Sequence, residues 1–131
     1  MIQGQKIQIR FSDIDLMGHV NNAIYLNYFE SARMHYLVSY LGEKWDWYKN
    51  GIILKTNEIE YLAPVFLTDK PIVTVFTEHI GKTSFILSYE LKVGEEIKTK
   101  GKSVLVSYNF KENKTQELDP LFKSSLEKMK R

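Results

Sequence analysis

Thirteen residues near the N-terminus, RFSDIDLMGHVNN from Arg10 to Asn22, hold two carboxylates, a histidine and two asparagines. A carboxylate or an imidazole can activate water or attack an acyl carbonyl directly, and hydrogen-bond donors stabilise the oxygen on which negative charge then develops. Asp15 stands just upstream of a long helical pattern. The backbone amides of Asn21, Asn22 and Ala23 fall at the start of that helix, where unpaired N–H groups and the helix dipole favour an anion. One such donor is worth roughly 3 kcal/mol in an oxyanion hole. The stretch therefore contains the parts for hydrolysis of an acyl bond. His19, four residues beyond Asp15, has the reach to orient water or hydrogen-bond that carboxylate. The same spacing also suits plainer roles: Asp15 as the cap of a helix or tight turn before Gly18, Asn21 and Asn22 as helix caps, and Asp13 as an ion-pair partner of Arg10 or Arg33.

The elements that would position these groups are legible in the patterning. Lys6 to Phe11 (KIQIRF) alternates apolar and polar residues and predicts a half-buried strand. Ile24 to Leu41 has no glycine or proline, carries Tyr25, Phe29, Ala32, Tyr36 and Tyr40 at helical spacing, and is followed by Gly42 as a C-terminal cap. A second stripe of Leu26, Leu37 and Leu41 makes this helix apolar over more than half its surface, so other structure must wrap it. Strand patterns follow at Ile52–Leu62, Pro71–Ile80, Phe85–Val93 and Ile97–Phe110, with turns at Gly81-Lys82 and Gly94-Glu95. Asn113–Glu117 reads as loop. Asp119 and Pro120 open a short C-terminal helix as N-cap and first residue. Consecutive hairpins make the sheet antiparallel, and one helix over one sheet gives two layers. One sheet face and at least one edge are then bare in a single copy, which points to self-association.

Composition sets the outer limits. The 131 residues suit one domain spanning 1–131, and 44% apolar with 13% aromatic residues is ample for a core. A formal charge of +2 is too small to indicate nucleic acid. With no cysteine, disulfides, thiolate metal sites and a cysteine nucleophile are excluded. No apolar run is long enough to span a membrane, and MIQGQKIQIRFSDID lacks the apolar block of a signal peptide, so a cytoplasmic location is expected. His35 and His79 have no ligand-like neighbours, and no metal is expected.

An N-terminal strand followed by DIDLMGHVNNAIYLNYFESAR and then four strands resembles the hotdog-fold acyl-CoA thioesterases of the 4-hydroxybenzoyl-CoA thioesterase type. The resemblance runs through the whole chain, including IEYLAP, the GKTS turn and the terminal helix. Its most specific part is RFSDIDLMGHVNNAIYLNYFESAR, with Asp-x-Asp, Gly-His, paired asparagines, aromatic positions and Glu-x-x-Arg. It implies an α+β hotdog fold: one long central helix wrapped by an antiparallel sheet of about five strands, with a short C-terminal helix. It implies hydrolysis of an acyl thioester to free acid and coenzyme A, with Asp15 as general base or nucleophile and a carbonyl-polarising amide near Asn22. No cofactor is implied beyond the coenzyme A of the substrate. Tyr25 and Phe29 would line an acyl pocket, and Thr83 and Ser84 would approach the ligand from a neighbouring subunit of a homodimer or homotetramer. Related enzymes often carry histidine where Asn22 stands here. Others use a helix glutamate after a His-Gly-Gly stretch that this chain lacks, which makes Glu30 a second catalytic candidate; its plainer role is an ion pair with Arg33. Lys98, Lys100 and Lys102 alternate on one face and suit either coenzyme A phosphates or a solvated strand face.

Four other readings compete with this one. The strand and Asp-x-Asp also resemble haloacid-dehalogenase-type phosphotransferases, in which Asp13 would be phosphorylated; Met17 in place of threonine, the alternating strand and the absence of strand–helix alternation oppose this. Hotdog hydratases separate aspartate and histidine by five with asparagine and proline between, whereas DLMGH separates them by four and has neither. A non-catalytic acyl-thioester binder, or a thioesterase acting on acyl carrier protein, keeps the fold and changes its use.

Overall fold

Helix α1, Tyr25–Leu41, organises the fold of the computed structural model, which describes residues 2–131. It buries Tyr25, Tyr28, Phe29, Ala32, Arg33, Tyr36 and Leu37. Gly42 ends it at φ 91°, its N–H on the Val38 carbonyl at 2.8 Å, a backbone geometry that glycine adopts without a Cβ penalty.

The strands are β1 (Gln5–Lys6), β2 (Gly51–Tyr61), β3 (Ile72–Ile80), β4 (Ser84–Val93), β5 (Glu96–Asn109) and β6 (Lys114–Thr115), followed by helix α2 (Pro120–Lys128). They form one antiparallel sheet in the order β1-β3-β4-β5-β2, with β6 on β5. Period-two alternation turns Phe85, Leu87, Tyr89 and Leu91 of β4 into the core, each essentially sealed from solvent. The Phe29 ring of α1 stacks on Tyr89 with centroids 4.6 Å apart and planes 7° from parallel. A Cβ on Gly101 of β5 would lie 2.6 Å from Phe29 Cε2, so the absence of a side chain there lets helix and sheet close. The arrangement is the expected hotdog: a sheet curled around one long helix, with the short helix α2 capped by the Asp119 carboxylate at 2.8 Å from the Leu121 amide.

Two expectations need correcting. The strand predicted over Lys6–Phe11 is only Gln5–Lys6. Its partner β3 begins at Ile72; Ile7 still donates to the Pro71 carbonyl at 2.9 Å, but the Phe66–Asp69 turn then carries the chain away. Ile7 and Ile9 nonetheless pack on the core, so the alternation reported burial and not a ladder. Conversely, the Asn113–Glu117 loop contains β6, paired with Tyr108 and Asn109 through a turn in which Asn113 takes φ 53°.

The edges differ. On the β3 side, β1 pairs with Val73 and Ile72, and Lys130 bridges Thr77. On the other side β2 runs for 11 residues with most of its length exposed, including Ile53 and Leu54.

Candidate active site

Ile14 and Val20 form a lone antiparallel bridge that makes residues 14–20 a small hairpin. Within it the Asp15 amide donates to the His19 carbonyl at 3.0 Å, and the Gly18 amide donates to the Asp15 carbonyl at 3.0 Å. Gly18 sits at φ 86°, which explains glycine at this tight turn. Asp15 is half-buried and accepts the Met17 amide on Oδ1 at 2.9 Å. No partner for its second oxygen occurs among the described residues. One carboxylate thus caps the turn with one oxygen and presents the other.

The start of the helix is a 3-10 turn, Asn22–Ile24, leading into α1. The Asn21 amide donates to the Asp13 carbonyl at 2.9 Å, and the Ala23 amide donates to Asn21 Oδ1 at 3.0 Å. Ile24 donates to the Asn21 carbonyl at 2.9 Å. Among the described residues the Asn22 N–H has no acceptor. Of the three amides the sequence placed at this end, two are spent on the fold and Asn22 alone is open. The Asn21 side chain caps the turn, while the Asn22 side chain is exposed.

Two aromatic residues complete this corner. Tyr25 is buried, and burial raises the pKa of its hydroxyl, with the charge of nearby Asp15 adding to the effect. Tyr61, at the end of β2, meets the Tyr25 ring edge-on at 5.2 Å and donates its hydroxyl to the Asn22 carbonyl at 2.7 Å. Sequence reading gave Tyr61 no role beyond its strand. It lies 39 positions from Asn22, and no local pattern signals the contact.

The other candidates fall as follows. The His19 ring packs edge-on against Phe66 at 6.3 Å, and its backbone carbonyl, not its ring, bonds Asp15. Asp13 pairs with neither Arg10 nor Arg33 through a salt bridge; its carboxylate accepts the Tyr28 hydroxyl at 2.6 Å and the Arg10 backbone amide at 3.0 Å. Phe29 is in the core against Tyr89. Glu30 lies 3.5 Å from Arg33 with its side chain 66% exposed, whereas Arg33 is buried and reaches Tyr89 Oη at 3.4 Å. Lys98 pairs with Glu96 at 3.1 Å and Lys102 with Glu78 at 3.0 Å. Leu16 and Met17, at the tip of the Asp15 turn, are exposed, as are Phe66 and Leu67.

Thr83 and Ser84 are not brought to Asp15 within one chain. Ser84 pairs with Val106, while Tyr61 pairs with Thr99 at the other end of β5. Seven residues of strand separate the two ends by about 23 Å. Among the described residues no helix is long and apolar enough to cross a membrane, and no cluster of three or more histidine, aspartate or glutamate side chains is arranged to hold a metal ion.

A family model described as the Thioesterase-like superfamily matches residues 9–126, and the chain belongs to that family. Among solved structures, a predicted thioesterase from Bacillus stearothermophilus is similar at TM-score 0.88 and 22% identity, covering 98% of this chain and 96% of that one. A thioesterase from Thermus thermophilus, solved with coenzyme A and Zn, is similar at TM-score 0.83 and 28% identity over 95% of this chain and 96% of that one. The uncharacterised protein YsmA of Bacillus subtilis is 28% identical over 86 residues, 64% of this chain, and the match spans 56% of that protein's length.

Proposed function

We propose that this chain hydrolyses acyl thioesters of coenzyme A, as enzymes of the 4-hydroxybenzoyl-CoA thioesterase type do. The observation that carries the reading is that Asp15, in the hairpin, keeps one carboxylate oxygen open and Asn22, at the helix start that follows it, keeps its amide open. The thioester carbonyl accepts from Asn22 N–H, which stabilises charge that develops only as the carbonyl is attacked. Asp15 Oδ2 either removes a proton from the attacking water or attacks the carbonyl itself to form an anhydride that water then cleaves. Both routes yield the acid and the free thiol of coenzyme A. Family membership and the coenzyme A held by the Thermus relative support this class of substrate.

The acyl chain needs a wall that one copy does not supply, because Tyr25 and Phe29 are sealed in the core. Two copies that pair their β2 edges antiparallel would place the β3–β4 turn of one, with Thr83 and Ser84, at the same end of the joined sheet as Asp15 of the other. The exposed Leu16, Met17, Phe66 and Leu67 are apolar surface for a partner or an acyl group to cover.

The test is thiol release from short, long and aromatic acyl-CoAs by wild type, Asp15→Asn and Glu30→Gln. The Asp15 variant is expected to lose roughly a hundredfold or more, with the Glu30 variant near wild type. Full activity in Asp15→Asn would make that residue structural. A wild type inert on the whole panel would favour a binding role.

A further inference from the structure

We propose that Tyr61 is a positioning residue that fixes Asn22 so that its N–H faces the thioester carbonyl; the role rests on the thioesterase reading above. Residue 22 is held from both sides while its own amide stays open. On the N-terminal side Asn21 is anchored twice, by its amide on Asp13 and by its side chain on the Ala23 amide. On the C-terminal side the Asn22 carbonyl receives the Tyr61 hydroxyl at 2.7 Å, a short O–H···O bond. Rotation of the peptide following Asn22 would break that bond and the bond from its Ala23 amide to Asn21 Oδ1, releasing residue 22 from its C-terminal side.

Tyr61 is itself a stiff strut. Its backbone is in the β2–β5 ladder opposite Thr99, and the next two amides, Leu62 and Ala63, both donate to the Lys98 carbonyl at 2.9 and 3.1 Å. Pro64 follows, with φ fixed by its ring. The aromatic ring is braced edge-on by Tyr25 and has only two side-chain torsions to lose. The Asn22 N–H belongs to the preceding peptide, whose carbonyl, that of Asn21, accepts the Ile24 amide at 2.9 Å, so Ile24 and Tyr61 between them hold the two peptides that flank the Asn22 Cα. Because the Tyr61 hydroxyl is spent on a carbonyl, it acts through Asn22 and does not take a proton from substrate.

The test is Tyr61→Phe, which keeps the ring and its contact with Tyr25 and deletes only the hydroxyl. With the acyl-CoA that wild type turns over fastest, kcat is expected to fall by roughly ten- to a hundredfold, the scale of slight misplacement of a catalytic group. KM should stay within roughly twofold, since the donor acts in the transition state. The amide resonances of Asn22 and Ala23 in 1H–15N spectra should shift, and hydrogen exchange of the Ala23 amide, which donates to Asn21 Oδ1, should quicken. Unchanged kcat, or a fall in kcat matched by a rise in KM, would overturn the proposal. If wild type hydrolyses no thioester, the hydrolase reading fails by itself; Asn22 and Ala23 amides that do not move in Tyr61→Phe then overturn the positioning role as well.

Discussion

The hydroxyl of Tyr28 lies 2.6 Å from Oδ2 of Asp13, and the Arg10 amide donates to the same oxygen at 3.0 Å. Asp13 is thereby tied into the floor of the loop while Asp15, two residues on, keeps an oxygen open. The two aspartates of one Asp-x-Asp pair are held by different partners, Asp13 by the helix and Asp15 by its own turn. Removing the donor with Tyr28→Phe should cost about 1–3 kcal/mol by leaving a half-buried carboxylate short of a partner. Denaturant unfolding measures that loss, and the variant should keep most of its thioesterase turnover. A collapse of turnover with unchanged stability would place Asp13 in the chemistry.

Stability should decline in alkali for a stated reason. Burial pushes the hydroxyl pKa of Tyr25, Tyr28 and Tyr36 above the usual tyrosine range, and at Tyr28 the hydrogen bond to Asp13 pushes it further. Above a pH of about 10 the unfolded chain releases these protons while the folded chain keeps them. The unfolded state then binds fewer protons, so the contribution is fully present below about pH 10 and is lost as pH rises through the higher folded values. In a stepwise alkaline titration the three should ionise together with loss of ellipticity. Smooth ionisation of all eight tyrosines at full ellipticity would contradict this.

Gly101→Ala should be costly although the change is one methyl group. Its Cβ would meet Phe29 Cε2 at 2.6 Å and Cδ2 at 3.1 Å, and the Phe29 ring is held flat against Tyr89. Overpacking of this kind costs about 1–3 kcal/mol. A thermal midpoint equal to wild type would show that the ring can move aside.

The β2 edge gives a prediction about assembly. Ile53 and Leu54 are 39% and 42% exposed on an 11-residue strand that pairs only β5 among the described residues, and a long edge with unpaired backbone groups is a template for another copy. Wild type should sediment as a dimer or larger, and Ile53→Lys with Leu54→Lys should shift it toward the monomer. A monomeric wild type at micromolar concentration would refute the edge as an interface.

What was legible in the sequence was whatever short-range chemistry dictates. The α1 boundaries follow from Tyr25 to Leu41 at helical spacing and Gly42 at the end, and the α2 start from Asp119 and Pro120. The four long strands have ends within a residue or so of expectation; β3, β4 and β5 show the period-two burial of a strand, whereas β2 is exposed over most of its length. The KIQIRF strand was overextended because alternation reports which side chains are buried and not whether a neighbouring strand is present to complete the ladder.

The candidate site divides along the same line. Clustering of Asp15, His19, Asn21 and Asn22 before the helix was set by sequence alone, as was the Asp15 turn, since their bonds join residues within a few positions. Which amide stays open, that Asp13 is held by Tyr28 from 15 positions away, and that Tyr61 reaches Asn22 from 39 positions away were decided only when the sheet closed over the helix. The local pattern lays down the groups near one another in the chain. The curvature of the sheet selects their partners, because contacts between distant residues depend on how all the elements pack and no short stretch of sequence encodes that.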